Sequence, residues 1–323
     1  MFMQLNWIVS GIECGNDMVR KALLGQLGDT DVRLLRVFRA VVECGGFSAA
    51  ELELNIGRST ISRHIKDLEL RLGITLCRRG RSGFALTGEG KQIYDATLRL
   101  LASMDDFRSE VNDLNASLTG NLSIALFDKT VTNPQSAISS SIQFFDEIAP
   151  DVRLDIYVEP INEIESGIME GRYQIGVIPA HRPSTSLRYF HLFDEQMYMY
   201  CGRDHRLFNR QENDITKADV LDCKYTGMGY HSPNMEVGRQ LGLKRHTTAY
   251  DQEAVAHLVM SGRYIGYLPD HYARSFVEAG LIKPVCSDIF QYQCQFSGII
   301  RRSPAPSRLV NTFVDCIVHA HAG

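Results

Sequence analysis

The run from Phe47 to Glu69 reads as two short helices joined by a tight break at Asn55-Ile56-Gly57. Ser48 stands where its hydroxyl would cap the first helix by accepting from an amide of the opening turn. Ala50 and Leu54 then fall on that helix's inward face. After the break, Ile61, Ile65 and Leu68 recur at spacings of four and three, which predicts a second amphipathic helix over 58–69. Its other face carries Arg58, Ser59, Thr60, Ser62, Arg63, His64 and Lys66, side chains long enough and polar enough to reach base edges and phosphates in a major groove. A helix-turn-helix meets this description, with Ser48 beside it as a further backbone contact.

Charge on an outer helix face usually means only exposure to water. The sequel argues for more. Leu72-Gly73-Ile74-Thr75-Leu76 continues the core, and the run from Cys77 to Thr87 gives two short extended stretches around a basic, glycine-bearing tip. That is the pattern of a wing, with Arg78, Arg79 and Arg81 placed to meet backbone phosphates. Leu34, Leu35, Phe38, Val41 and Val42 supply a helix ahead of this pair, ending at Gly45-Gly46.

At these residues the chain resembles the LysR-type transcriptional regulators. The family's amino-terminal pattern is matched in order by Leu34-Leu35, Phe38, Gly46-Phe47-Ser48, Ala50, Leu54, Ile61-Ser62, Ile65, Leu68-Glu69, Leu72-Gly73, Leu76, Arg79, Leu86-Thr87 and Gly90. Two departures stand out: Gly57-Arg58 replaces the usual Ser-Gln pair that opens the recognition helix, and Cys77 replaces the usual Phe. The resemblance covers the chain after residue 30, most closely to about residue 90. It implies an α/β protein overall: an N-terminal winged helix-turn-helix, a long linker helix and a C-terminal two-lobed α/β domain of the periplasmic-binding-protein-like kind.

A length of 323 residues and a net charge of −4 fit that organisation once the charge is divided along the chain. Residues 31–91 hold 11 Lys or Arg against 7 Asp or Glu, and the remainder holds 23 against 31. A basic reading head on an acidic body engages DNA through one face only. No apolar run approaches the ~20 residues that span a bilayer, so no membrane is expected. The eight cysteines include no Cys-x-x-Cys pair, and they suit reduced thiols in a cytoplasmic protein.

Residues 1–30 read as an extension without a function of its own, and residues 31–88 as the DNA-binding domain. Thr87 is placed to cap a linker helix over 89–118. Within it Ile93, Leu100, Phe107 and Leu114 stand seven apart, with Thr97, Met104 and Val111 as a second row between them. These are the a and d positions of a coiled coil, and the resemblance likewise implies dimerisation through this helix, with a tetramer as the larger assembly. Two recognition helices would then meet two half-sites of a double-stranded operator. RNA polymerase is a further partner that the resemblance allows.

From residue 119 to 323 strands and helices alternate, which predicts parallel strands with helical crossovers. Lobe I is expected at about 119–190 and 291–323, with strands over 121–127, 152–158 and 173–178 and helices over 134–148 and 161–171. Lobe II is expected at about 191–290, with strands near 195–201, 224–228 and 264–268 and helices near 233–241 and 252–261. A final strand over 291–300 and a closing helix over 307–320 return to lobe I. Such a fold takes a ligand between its lobes.

Strand ends and helix starts supply the candidate pocket. Thr130, Thr132 and Asn133 precede the helix opened by Pro134, and would either cap it or hold a carboxylate at its positive end. The resemblance adds His181, Cys201, Gly202, Arg203, Tyr230, His231, Gln252 and Pro269. Arg203, His181 and Tyr230-His231 together suggest a small organic anion as effector.

No Gly-x-Ser-x-Gly elbow, Walker loop or His-Glu-x-x-His helix is present, so no enzyme, catalytic residue, metal or cofactor is expected. His319 and His321 near the C-terminus are a weak ligand pattern in a tail expected to fray. The leading reading is a sequence-specific DNA-binding regulator that responds to a small molecule. An alternative makes the trigger a thiol at Cys286 and Cys294, since peroxide-sensing members of the family use a cysteine pair. An enzyme or carrier is the remaining reading.

Overall fold

The computed structural model describes residues 26–80, 83–114, 118–180 and 182–322. Arg81 and His181 lie outside the described residues, as does most of the expected N-terminal extension. The chain forms two compact units whose boundary, at Thr97 and Leu98, falls inside one long helix.

In the first unit α1 (Asp29–Glu43), α2 (Ala50–Leu54) and α3 (Arg58–Leu72) are followed by a hairpin of β1 (Cys77–Gly80) and β2 (Gly83–Leu86) and by the start of α4 (Gly88–Leu114). The predicted apolar rows make its core: Leu34, Phe38, Val41, Ala50, Ile61, Ile65, Leu68 and Leu76 are all buried. Asn55 takes the left-handed conformation at φ 51° that ends α2, as the short break requires. Asp31, itself buried, grips Arg71 with both carboxylate oxygens and so ties α1 to the end of α3. Arg71, followed by the amide of Gly28, holds the Asp31 carboxyl below the usual range.

The caps divide into one correction and one agreement. Ser48 is exposed in the turn before α2, whose cap position is Ala49 with no side-chain hydrogen bond, so Ser48 does not cap that helix. Thr87 does cap α4: its hydroxyl oxygen accepts from the Gly90 amide at 2.8 Å and donates to the Thr75 carbonyl at 2.6 Å. A Cβ at residue 90 would come within 1.9 Å of the Leu76 carbonyl oxygen, so only glycine lets the helix start this close to the base of the hairpin.

The second unit is built on one nine-stranded sheet. On one side β3 (Gly120–Leu126) runs parallel to β4 (Val152–Val158) and β5 (Ile175–Pro179), with α5 (Ile138–Ile148) and α6 (Ile161–Glu170) as crossovers. β6 (Leu187–Gly202) then leads into α7 (Lys217–Leu221), β7 (Tyr225–Met228), α8 (Pro233–Leu241), β8 (Arg245–Ala249), α9 (Gln252–Met260), β9 (Ile265–Pro269), α10 (Asp270–Glu278) and β10 (Ile282–Pro284). β11 (Gln291–Arg301) and α11 (Arg308–Ala322) return to the first side. The strand order is β4-β3-β5-β11-β6-β9-β7-β8, with β10 pairing on β6.

The expected strand near 195–201 is thus the second half of a 16-residue strand. Its first half lies opposite the part of β11 that pairs with β5, and its second half pairs with β9, so β6 and β11 are the two crossings between lobes. The helix expected from Pro134 begins only at Ile138, because Thr130–Thr132 forms a separate turn of 3-10 helix. Thr130, Thr132 and Asn133 therefore do not cap α5; the amide of Ala137, just before it, donates to Nε2 of His321 at 3.0 Å. The C-terminal residues expected to fray are held in α11, with His321 stacked on Phe193. Four elements of lobe II, α7, β8, α10 and β10, were not anticipated; β8 reads Arg-His-Thr-Thr-Ala and sits at a sheet edge, where no apolar alternation is needed.

Candidate nucleic-acid interface and ligand cleft

α3 presents its polar side chains unevenly. Ser59, Ser62, Arg63 and Lys66 fall within about 100° of arc around the helix, with Arg58 at one edge. Arg58, Ser59, Arg63 and Lys66 are exposed. Thr60 and His64 lie outside that arc and are half-buried. Burial, with the charges of Arg33 and Arg63, keeps the His64 imidazole more readily neutral than usual, so it is not a cationic phosphate contact. Gly57 offers no capping side chain at the start of α3; Glu51 of α2 does this work by accepting from the Arg58 amide at 2.6 Å.

Arg78 is exposed on β1, and Arg79 follows it on the same strand. The hairpin is oriented by Glu69, whose Oε1 accepts from the amides of Leu76 at 2.8 Å and Cys77 at 3.3 Å, and by an edge-on contact of Phe84 with Phe47 at 5.8 Å. Glu69→Ala is expected to strand both amides and cost about 1–2 kcal/mol. A melting curve of the variant that overlays the parent's would remove Glu69 from this role.

Along α4 the two seven-residue rows differ in exposure. Thr97 is buried, and its hydroxyl donates to the Ile93 carbonyl at 2.7 Å, so this position belongs to the chain's own packing. Ile93, Leu100 and Met104 are half-buried. Phe107 and Val111 are 66% and 42% exposed, a large apolar surface for one helix of a single chain. Leu114 ends the helix.

Between the lobes of the second unit, the segment after β3 reaches across to the starts of α9 and α10. Asp128 Oδ2 accepts from the Gln252 amide at 2.7 Å, and Lys129 Nζ meets Glu253 Oε2 at 3.0 Å. Thr132 donates to the Lys129 carbonyl, so its oxygen accepts from Nδ1 of His271, 2.8 Å away. On its other side His271 Nε2 lies 2.8 Å from Glu195 Oε1. Glu195 is 4% exposed on β6 at the crossing between lobes, where burial raises its carboxyl pKa and His271 opposes the shift. Burial likewise pushes Asp128 up to about 6.

Behind this latch a narrow cavity of about 20 Å³, open to solvent at its mouth, is walled by Phe127 and Pro179 from lobe I, by Glu195 and Tyr292 from the crossings, and by Tyr230 and Gln252 from lobe II. Gln252 and Tyr230, two of the expected pocket residues, are part of this wall. Asn133 is close by but occupied, its Nδ2 donating to the Asp194 carbonyl and its Oδ1 accepting from Gln135. Thr130 is buried, and Pro269 sits at the start of α10.

The remaining candidates lie elsewhere. Arg203 is spent on the carbonyls of Gly280 and Ala279 after α10, at 2.8 and 3.1 Å. Cys201 is a buried thiol pushed up to about 12, and a Cβ on Gly202 would come within 2.2 Å of the Val259 carbonyl oxygen, so both serve packing in lobe II. His231 faces Glu236 at 3.0 Å on the surface. No Lys, Arg or His lines the cavity among the described residues, and the pocket expected for an organic anion is not found here.

The cysteines do not form a reactive pair either. Burial raises the thiols of both Cys286 and Cys294, and Cys286 donates to the Ile215 carbonyl at 2.7 Å. No group of three or more His, Cys, Asp or Glu suited to a metal ion occurs among the described residues, and none of their helices is long and apolar enough to cross a membrane.

Sequence reasoning missed Asp128, Glu195 and His271. Glu195 carried a signal: it alternates with Phe193, Met197 and Met199, all buried, so a carboxylate stands in the inward phase of a strand.

The bacterial regulatory helix-turn-helix protein, lysR family, matches residues 32–91, and the LysR substrate binding domain matches residues 115–322. HTH-type transcriptional activator BauR of Pseudomonas aeruginosa is 41% identical over 298 residues, which cover 92% of this chain and 98% of that protein. The crystal structure of CbnR, a LysR family transcriptional regulator, shares the fold with a TM-score of 0.60 at 19% identity, over 90% of this chain and 99% of the other. Full-length CbnR complexed with its target DNA gives 0.59 at 19% identity over the same shares. The chain belongs to the LysR family of transcriptional regulators, which are DNA-binding proteins and not enzymes.

Proposed function

We propose that the chain reads operator DNA as a dimer, with α3 in the major groove and the β1–β2 hairpin on the phosphates, and that a small molecule between the lobes of the second unit sets which operator geometry it engages. The observation that carries the sensor half of this reading is the latch at Asp128, Lys129 and Thr132, which joins the lobes directly over a walled cavity. A ligand shifts such an arrangement only as far as its affinity differs between latched and open lobes. Full-length protein melted against a metabolite panel, followed by footprinting with each stabilising compound, tests it. A compound that both raises the melting temperature and alters the footprint supports the reading. Stabilising compounds that all leave the footprint unchanged would separate the cleft from regulation.

The dimer is carried by the exposed end of the α4 seam. Phe107→Asp is harmless to a lone chain, because the ring is two-thirds exposed there. Against a partner helix it buries a charge at a core position and is expected to lower the dimer population at least tenfold, with loss of operator binding. Sedimentation of the variant at the parent's rate would place the dimer contact elsewhere.

A further inference from the structure

We infer that the cleft cavity receives its ligand through an ammonium group, held by the carboxylate of Glu195 and the side-chain carbonyl of Gln252, with the Tyr230 hydroxyl beside them. This rests on the reading of the cleft as an effector site and names the charge of what enters it. Gln252 is 3% exposed and lines the cavity, yet its Oε1 is buried with no hydrogen-bond partner among the described residues. Its neighbour Tyr230 also has a buried hydroxyl without a partner. Glu195 uses Oε1 on His271 and is the only carboxylic acid in the cavity wall among the described residues.

The charge just outside the wall has the same sign. Asp128 holds the Gln252 amide with Oδ2, while its Oδ1 is buried and accepts no hydrogen bond. Asp251 caps the same helix, its Oδ1 accepting from Ala254. Of the basic groups beside these acids, Lys129 is engaged by Glu253 and His271 by Glu195. Buried acceptors left open are costly, and what satisfies them is a donor. A primary ammonium brings three donors and a positive charge to face Asp128, whose Oδ1 is open. A carboxylate would add acceptors to acceptors and a negative charge beside that of Asp128. Phe127, Met197 and Met228 make the rest of the wall apolar, so a carbon chain attached to the ammonium would lead out toward the open mouth.

The test is a four-carbon series on the full-length protein at pH 8, by calorimetry: 1-aminobutane, 1,4-diaminobutane, 1-butanol and butyrate. These share one apolar body and differ in charge. The two amines are expected to bind at least about tenfold more tightly than butanol and butyrate. Glu195→Gln and Asp128→Asn keep the shape of each group and are expected to weaken 1-aminobutane about tenfold or more. The wild-type series does not depend on how either variant folds. Butyrate binding more tightly than 1-aminobutane would overturn the ammonium assignment and leave the cleft as a sensor. A series with no member binding at millimolar concentration would overturn both. Amine binding that neither variant weakens would place the amine outside this cavity and end the proposal.

Discussion

Arg63→Ala lowers affinity for the operator about ten- to a hundredfold per half-site and changes binding to unrelated DNA far less. The expectation follows from the geometry of one helix. Arg63 is exposed at one end of the arc it shares with Ser59, Ser62 and Lys66, on the face opposite the buried Ile61, Ile65 and Leu68. In the proposed docking a guanidinium there would reach base edges, and a lost bidentate contact to a base costs about 1–3 kcal/mol of discrimination. Arg78→Ala is the matched control, since a wing arginine meets phosphates that every sequence has. It should weaken specific and non-specific binding alike and reduce the salt slope by about one. In a dimer each substitution occurs twice, so the gap between the two variants widens on a two-site operator. Operators can be selected from genomic fragments with the parent protein and then titrated against both variants at several salt concentrations. Equal losses for Arg63→Ala on every sequence would move that residue from the bases to the backbone.

How much of this could be read from residue order depends on whether a feature is local. The helix-turn-helix is local: Ile61, Ile65 and Leu68 mark the buried face by spacing alone, and Thr87 and Gly90 mark the start of α4 within four residues. The same locality misled at Ser48, a good capping residue that the turn leaves pointing to solvent while Glu51 caps the next helix from a neighbouring element. The sensor cleft is not local. Its latch joins Asp128 to Gln252 and Thr132 to His271, pairs separated by more than a hundred residues, and no periodicity links them. Arg203 was attractive as an anion ligand because it ends a strand, but the carbonyls left open after α10 claim it first. Glu195 is the intermediate case: its strand phase was visible, while its partner His271 was not.

Asp128→Asn is expected to stabilise the protein at neutral pH, and the pH dependence is the informative part. Burial raises the Asp128 carboxyl from 3.8 to about 6, against the pull of the Gln252 amide and Lys129 and with Asp251 and Glu195 adding to the rise. A carboxyl whose folded pKa lies above its unfolded value binds its proton more tightly when folded. Its contribution to stability is therefore fully present below about 4 and is lost as pH rises through about 6. Above that window the buried charge costs on the order of 1–3 kcal/mol, allowing for relaxation around it. Asparagine keeps an oxygen to accept from the Gln252 amide and removes the charge. The variant should melt several degrees above the parent at pH 7.5, and the two should converge near pH 4. Two melting curves that stay parallel from pH 4 to 8 would show that Asp128 carries no such cost in the folded protein. The stored cost is also a lever: a bound cation relieves it, so a ligand that neutralises Asp128 stabilises the latched lobes by the same free energy that the asparagine does. The variant should then favour the latched arrangement without ligand, and its operator footprint at pH 7.5 should match that of the ligand-bound parent.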